Sequence, residues 1–427
     1  MNKKRRRGNP WLMGFLILAI AALVWVNVFV VPSVPPPFVP TPTETRSPES
    51  IQADADQLAR EGQFIAAINA YQAAINAEPT NLQNYLKVAR LQIYAGHFAE
   101  AQVNAENAIL LNNRVADAYA MLGWVKGNQG DYRDGEATAR QAISTDPNSA
   151  LAHAVMARLL GLRVEAGLDE LGTQDAAIEE SRTAIALNPG LLESRWFRGY
   201  ILEITGNYEE ATAEYEAAVE INNFVPDLRM ALGRSYLALE RYDDAIREFT
   251  AANGLNPQNP EANRMISRVW ESQGEWEKAM QYGREALKTD PNDPNLYANM
   301  GTFYFRAGQY NQAITYLELA VKGGTSAEFG GQVTGLPITY SNSIIGLYSR
   351  YGIALARVNR CSEAFAISSM MKQTVADDEI GMINADEMVN ICQANLTNPP
   401  TAIPTPTPTV QTGPSPTPPV TGTPPPN

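Results

Sequence analysis

Arginine and aromatic side chains recur at one position of a repeating sequence pattern. Successive members lie 34 residues apart, except for one step of 42 residues. Guanidinium groups bind carboxylates and other anions, and aromatic faces add apolar contact area. Such a series could bind an extended ligand that carries anions, or the C-terminus of a peptide. The arginine–aromatic ladder consists of Arg90, Trp124, Arg158, Tyr200, Arg234, Arg268 and Thr302.

The cysteines and histidines form no catalytic or metal-binding motif. Cys361 and Cys392 lack CxxC spacing, and His97 and His153 have no nucleophile or metal-ligand partner at a motif-like spacing. P-loop, GxSxG and HExxH motifs are absent from the sequence. We therefore expect a chain that is not an enzyme and holds neither a metal nor a cofactor.

A disulfide between the two cysteines is one expectation. If the chain lies outside the cytoplasm, a bond between Cys361 and Cys392 is permitted. It would close a loop of about 31 residues and contribute about 3.5 kcal/mol in the chain-entropy model. Two free thiols are the alternative, because the spacing alone leaves the direction of the side chains open.

Small residues define the repeat that contains the ladder. One series of alanines keeps the same intervals of 34 residues with one step of 42, and two further series begin at Ala55 and Ala67. The longer step indicates an insertion near residues 161–174. A period of 34 residues predicts stacked helical hairpins, because one hairpin cannot bury its own apolar face. The alanine series is Ala74, Ala108, Ala142, Ala184, Ala218, Ala252, Ala286 and Ala320.

The repeat resembles the tetratricopeptide repeat family. Most units have a turn glycine with an aromatic residue two positions later, as in Gly206 and Tyr208, although Glu240 replaces the glycine in the sixth unit. Several second helices end at a proline such as Pro189. The resemblance covers about residues 48–375. It implies an all-α, right-handed superhelical solenoid of about nine helix-turn-helix repeats. It also implies a non-catalytic scaffold, because this family binds diverse protein or peptide partners.

By the same resemblance, the first helix of each hairpin lines a concave groove. The ladder then faces this groove, and neighbouring groove positions add Trp196, Arg264, Phe305 and Arg306. We therefore expect a protein or peptide partner that is extended and anionic. The acidic remainder of the chain, which carries −18 once the five cations at residues 3–7 are set aside, argues against nucleic acid.

The ladder arginines have an alternative, structural use. Acidic residues occupy nearby groove positions on adjacent helices, and each could pair with a guanidinium so that the groove neutralises itself. Exposed pairs of this kind contribute little to stability. Ligand binding and internal pairing are both compatible with the sequence. The acidic residues are Glu193, Glu203, Asp227, Glu261 and Glu271.

An uncharged apolar segment precedes the repeats. Residues 11–31 would span about 30 Å as a helix, which is enough for the hydrocarbon core of a bilayer. The basic N-terminus, residues 1–10, predicts that this end is cytoplasmic and that the repeats are extracytoplasmic. We expect a single-pass protein of the cell membrane. A cleaved signal peptide, and hence a secreted binding module, is the alternative.

Composition predicts the remaining boundaries. An accessory protein for envelope-assembly or glycosyl-transfer machinery is a further alternative. An enzyme in which the repeats are an accessory is disfavoured, because no segment outside the repeats is long enough for a catalytic domain. A Gly-rich loop as long as the one predicted here is either functional or disordered. The predicted segments are a Pro-rich spacer at 32–48, repeats 1–8 at 49–320, the Gly-rich loop at 321–343, a degenerate ninth repeat with a capping helix at 344–397, and a disordered Pro/Thr-rich tail at 398–427.

Overall fold

The computed structural model describes residues 9–30, 46–168 and 170–397. The predicted tail, most of the predicted spacer and most of the basic N-terminus lie outside these described residues. The chain divides into two compact units, one ending at Leu91 and the other beginning at Gln92. Each unit is described by itself below.

The apolar N-terminal segment is helical. Helix α1 (Pro10–Trp25) begins with the Asn9 side chain accepting a hydrogen bond from the Trp11 N–H, and π-helical turns continue it over Val26–Val30. Residues Pro10–Phe29 are long and apolar enough to cross a membrane. A membrane anchor and a signal sequence share this length and composition.

The first unit contains α2 (Pro48–Arg60), α3 (Phe64–Ala77) and most of α4 (Leu82–Tyr94). The Ser47 hydroxyl caps α2, whose first residue is a proline. Proline is tolerated there because the first turn needs no N–H donor. The helix therefore begins within the predicted Pro-rich spacer. Alanine and tyrosine side chains on the facing surfaces of α2 and α3 are fully or almost fully buried.

The second unit continues as helical hairpins in which each first helix packs on its own second helix and on the hairpins beside it. Facing alanines on the two helices of a hairpin are fully buried, which lets the backbones approach closely. The helices are α5 (Phe98–Leu111), α6 (Ala116–Asn128), α7 (Tyr132–Thr145), α8 (Ala150–Glu165), α9 (Thr173–Leu187), α10 (Leu192–Ile204), α11 (Tyr208–Ile221), α12 (Pro226–Ala238), α13 (Tyr242–Leu255), α14 (Glu261–Ser272), α15 (Trp276–Thr289), α16 (Pro294–Arg306) and α17 (Tyr310–Lys322).

Two glycine positions show why the repeat needs this residue. Gly206 ends the turn between α10 and α11 with φ of 79°, a conformation that costs other residues energy. Gly199 lies where α10 meets α11, and a Cβ there would come within 2.7 Å of the Tyr215 ring. In the sixth repeat the turn position is Glu240, which adopts φ of 59° in place of glycine. Chain reversal is therefore possible without glycine, whereas the contact of α10 with α11 at Gly199 leaves no room for a side chain.

The predicted insertion lengthens one hairpin. Helix α8 has 16 residues, against 13 for the first helices on either side, and α9 starts only at Thr173. Within this hairpin His153 Nδ1 lies 2.5 Å from Glu180 Oε2, and Nε2 lies 3.0 Å from the Pro147 carbonyl oxygen. The imidazole thus connects α8 to its second helix and to the preceding turn.

The Gly-rich loop is ordered. It contains a short antiparallel pair of strands, β1 (Gly324–Thr325) and β2 (Gln332–Val333). The Gln332 N–H donates to Asn292 Oδ1 at 2.8 Å, and the Leu336 N–H donates to the Ala320 carbonyl at 2.8 Å. These bonds fix the loop to the eighth repeat. The loop therefore has a defined conformation on the eighth repeat.

The array ends with α18 (Asn342–Arg357), α19 (Cys361–Thr374) and α20 (Glu379–Thr397). Helix α20 packs against both preceding helices and buries Ala385 and Met388 completely. A disulfide joins Cys361 at the start of α19 to Cys392 near the end of α20, with 5.6 Å between the Cα atoms. The last helix is therefore held covalently as well as by packing.

Candidate functional site

Two adjoining clefts follow the first helices of repeats 4 to 9 in the second unit. The acidic cleft, ≈ 360 Å³, is formed by α8, α10, α12 and the residues that begin α14, and it includes Arg158, Glu165, Glu203, Asp227 and Arg234. The arginine cleft, ≈ 450 Å³, lies among α14, α16, α18 and the Gly-rich loop, and it includes Arg264, Asp293, Asn295, Asn299 and Arg350. Glu261 lines both clefts, which therefore share a wall.

In the acidic cleft, Arg158 is held by aromatic side chains and an amide. The central carbon of its guanidinium lies 5.1 Å from the Phe197 ring centroid and 5.7 Å from that of Tyr200, within cation–π range. Its Nη2 donates to Asn128 Oδ1 at 2.9 Å. Burial lowers the pKa of this guanidinium from its usual value, but an arginine stays protonated. Arg158 has no carboxylate in ion-pair contact among the described residues, so its charge is balanced only from a distance.

The second arginine of this cleft is paired. Arg234 Nε donates to Glu203 Oε1 at 3.0 Å, and the buried Tyr215 hydroxyl donates to Glu203 Oε2 at 2.5 Å. The Arg234 side chain is still 41% exposed, so it faces the cleft with its charge already matched. The Arg234–Glu203 pair therefore forms part of the wall of the acidic cleft and adds no net charge to it.

Two carboxylates of the acidic cleft lack a cationic partner in contact. Glu165 accepts a hydrogen bond from the Tyr200 hydroxyl, a neutral donor. Asp227 forms no hydrogen bond or ion pair with the side chains that the structure describes, and desolvation raises the pKa of its carboxyl while Arg158 and Arg234 oppose that rise. Two carboxylates thus face one unpaired guanidinium, and the cleft has a surplus of negative charge.

The arginine cleft has the opposite character at its α18 end. Arg264 Nε donates to Glu261 Oε2 at 2.6 Å, which neutralises that wall. Arg350 forms no ion pair with any described residue, and its Nε is buried without a hydrogen bond. Burial lowers the pKa of Arg350; nearby Arg306 lowers it further, and Glu271 raises it. The guanidinium lies against Gly346 of its own helix, where a Cβ would approach Nη1 within 3.2 Å.

Three aromatic members of the predicted site are mostly buried. Trp124 is 2% exposed and lines neither cleft; its ring centroid lies 5.7 Å from that of Trp196 and 4.9 Å from that of Phe197. Trp196 and Tyr200 are 5% and 7% exposed, and their edges line the acidic cleft. The aromatic part of the ladder therefore forms core beneath the groove and little of its surface.

The remaining predicted residues are spread along the first helices. Arg90 is half-buried on α4 and belongs to the first unit, so it is described apart from the clefts. Arg268 is exposed on α14 and Phe305 is half-buried on α16. Arg306 is exposed and pairs with Glu271 at 3.3 Å. Of the predicted arginines in the second unit, Arg158, Arg234 and Arg264 line a cleft.

Internal pairing, one of the two uses of the arginines foreseen from the sequence, accounts for part of the set. Arg234, Arg264 and Arg306 pair with acidic residues of the groove. Arg158 and Arg268 form no ion pair with any described residue. Internal pairing therefore neutralises part of the groove and leaves single charges at defined places.

Sequence reasoning missed Arg350 and the amides of Asn295 and Asn299. Arg350 lies two residues before Gly352, which packs against α19, whereas the ladder was read at the residue that follows each small residue of a first helix. Asn295 and Asn299 differ by four residues on α16, which places both on one helical face. That spacing was the available signal. The described residues contain no group of three or more His, Cys, Asp or Glu that could hold a metal ion.

Comparison with known proteins supports one family. Models of the tetratricopeptide repeat match residues 116–149, 192–224, 230–294 and 271–325. A tetratricopeptide repeat and J domain-containing co-chaperone of Cryptococcus neoformans is 24% identical over 193 residues, which are 44% of this chain and 35% of the relative. The chain thus spans about a third of the length of that curated relative.

A solved structure shows the same fold. The APC/C hetero-tetramer Cut9–Hcn1 contains a chain that matches with a TM-score of 0.53 and 17% identity, over 63% of this chain and 52% of that one. At this identity the likeness concerns the arrangement of the helices.

Proposed function

Because the chain belongs to the tetratricopeptide repeat family, we propose that it is a non-catalytic scaffold that binds an extended segment of a partner protein along the acidic and arginine clefts. The clefts follow one face of six consecutive first helices, which suits an extended chain better than a compact small molecule. The matching co-chaperone supports a role in protein interaction.

The observation that carries this proposal is the state of Arg350. A guanidinium that is partly removed from water without a carboxylate loses hydration and gains no ion pair in return. Arg350 lines the arginine cleft in this condition, opposite the amides of Asn295 and Asn299. A carboxylate of a bound segment would accept from the guanidinium, and the amides would bind its backbone. This supports an anionic group in the partner at this end of the groove.

Site-specific photo-crosslinking tests the groove. A photoreactive amino acid replaces Asn299, which lines the arginine cleft, or Gln312, an exposed residue of α17 outside both clefts. The full chain is irradiated in native membranes, and the adducts are identified by mass spectrometry. We expect a defined adduct from position 299 that disappears with Arg350→Glu, and none from position 312. Equal adducts from both positions would contradict binding in the groove.

We further propose that α1 anchors the chain in the cell membrane as a single span, with the N-terminus cytoplasmic and the repeats extracytoplasmic. The length of the apolar helix and the basic residues before it support this topology. The Cys361–Cys392 disulfide supports an oxidising compartment for the repeats.

Membrane extraction and protease access test the anchor. An uncleaved anchor should resist alkaline extraction, and external protease should digest the repeats in intact cells. A mature N-terminus beginning after residue 30 would show that the helix is a cleaved signal and that the chain is a secreted module. Protection of the repeats from external protease would overturn the topology.

A further inference from the structure

We infer that the groove recognises an order of charges: the bound segment places a cationic side chain against Asp227 and Glu165, and a carboxylate against Arg350. This inference rests on the proposed function, since it concerns the ligand of the same groove. It goes further by requiring both signs of charge in one segment, at opposite ends of the groove.

The first step is the surplus of negative charge in the acidic cleft. The Glu203 carboxylate accepts hydrogen bonds from Arg234 Nε and from the Tyr215 hydroxyl, so the Arg234–Glu203 pair adds no net charge to this cleft. Glu165 and Asp227 then face Arg158, whose guanidinium donates to an amide and stacks on aromatic rings. A second anion here would add repulsion, whereas one ammonium or guanidinium group would balance the cleft.

The second step is the single unpaired guanidinium on α18. Glu261 is matched by Arg264, and Arg306 is matched by Glu271 at 3.3 Å. Asp293 also lines the arginine cleft and accepts from the neutral Asn295 N–H, so its charge balances the cleft as a whole but forms no ion pair with Arg350. Among the described residues Arg350 has no carboxylate in contact, so a carboxylate of the ligand would be favoured there and a cationic side chain would be repelled.

The third step is the separation of the two ends. Asp227 lies at the start of α12 and Arg350 on α18, which are three repeats apart. We take about one interhelical distance, roughly 8–10 Å, for each step from one first helix to the next, so three steps span about 25–30 Å. An extended chain advances ~3.3 Å per residue, so roughly eight residues would separate the cationic and anionic positions of the ligand.

A displayed library of random dodecapeptides, selected on the full chain in detergent micelles, tests this inference. We expect selected peptides to carry Lys or Arg about eight residues from Asp or Glu, or from the C-terminal carboxylate. Affinities of the selected peptides are then measured by fluorescence anisotropy. Asp227→Lys should weaken a selected peptide roughly tenfold, and exchange of its cationic residue for Glu should restore binding.

The second end is tested in the same way. Arg350→Glu should weaken the peptide by a similar factor, and exchange of its acidic residue for Lys should restore binding. Gln312→Lys is the matched control, because it changes charge on an exposed helix outside both clefts and should leave the affinity unchanged. Circular dichroism of each variant confirms that helix content is retained.

The outcomes separate the two proposals. Selection of no peptide by the full chain would contradict groove binding itself. Peptides that are selected and lose affinity with Arg350→Glu, but show no charge order, would uphold the proposed function and refute this inference. Loss of affinity with Asp227→Lys that no charge exchange in the peptide restores would also refute it.

Discussion

Replacement of both cysteines by serine tests how the last helix is held. Helix α20 is joined to α19 by the Cys361–Cys392 disulfide. It is also held by packing and by hydrogen bonds, such as that from the Ser368 hydroxyl to the Ala385 carbonyl oxygen at 2.7 Å. The double variant removes only the covalent link. The response therefore measures the disulfide against the noncovalent contacts.

The magnitude follows from the closed loop and the buried surface. A sequence separation of 31 residues gives a disulfide contribution of about 3.5 kcal/mol in the chain-entropy model. Full burial of a side chain such as Met388 contributes about 1.5–3 kcal/mol, and Ala385 and the hydrogen bonds add to this. Because the two contributions are similar, we expect α20 to stay docked in the variant and to open more often.

Hydrogen exchange followed by mass spectrometry provides the assay. In the Cys361→Ser, Cys392→Ser variant of the full chain, amides of α20 should exchange up to roughly 300-fold faster, the factor that corresponds to about 3.5 kcal/mol. Amides of α10 to α13 should be unchanged, because each repeat contacts only its neighbours. Each single serine variant should match the double variant, since either change removes the bond.

Two results would refute this reasoning. Unchanged exchange of α20 would mean that the disulfide contributes nothing to its docking. Faster exchange throughout α10 to α13 would mean that the array unfolds as one unit and that the disulfide acts on the whole of it.

Three further predictions concern stability. The Glu180 carboxylate on α9 raises the pKa of His153 above its ordinary value of 6.5. The His153–Glu180 interaction therefore stabilises the fold fully below pH 6.5 and is lost as pH rises through the folded-state pKa, so the difference in thermal midpoint between wild type and His153→Gln should shrink between pH 6 and 9. Gly199→Ala should destabilise by about 1–3 kcal/mol in urea unfolding because its Cβ meets a buried ring, whereas Gly254→Ala, with open space around it, should stabilise by about 0.5–1 kcal/mol. Arg234→Ala should lower the free energy of unfolding by about 1–3 kcal/mol because it leaves the Glu203 carboxylate without its cationic partner. Arg268→Ala, at an exposed position, should change the free energy of unfolding by less than about 0.5 kcal/mol.

The helical hairpins were predictable because their determinants are local. The aromatic residue after a turn glycine begins a second helix, as at Tyr208 and Tyr310. Alanines spaced by 34 residues are the fully buried contacts between helices. Each of these rules acts within about one repeat, so a period in the sequence transfers directly to a period in the structure. At Glu240 the turn keeps its positive φ without glycine, so the neighbouring residues of the repeat are sufficient to impose this conformation.

The position of the Gly-rich loop was predicted from the sequence, but its conformation was not. Its glycines predicted a break in the helical pattern, and the break occurs between α17 and α18. Its order depends on bonds to distant parts of the chain, such as Gln332 to Asn292, 40 residues away. No spacing rule contains such a contact.

The character of the groove was the least predictable feature, because it depends on which neighbours each repeated position meets. Trp124 and Tyr200 occupy equivalent ladder positions, yet Trp124 is covered by Trp196 and Phe197 while the edge of Tyr200 lines the acidic cleft. Arg234 and Arg268 are equivalent too, and only Arg234 has a glutamate in contact. A strict repeat would present the same charge at each step and would bind a uniform ligand. The departures from equivalence place unpaired carboxylates in the acidic cleft and an unpaired guanidinium at Arg350, and in the proposed function that difference would allow the groove to distinguish one segment from another.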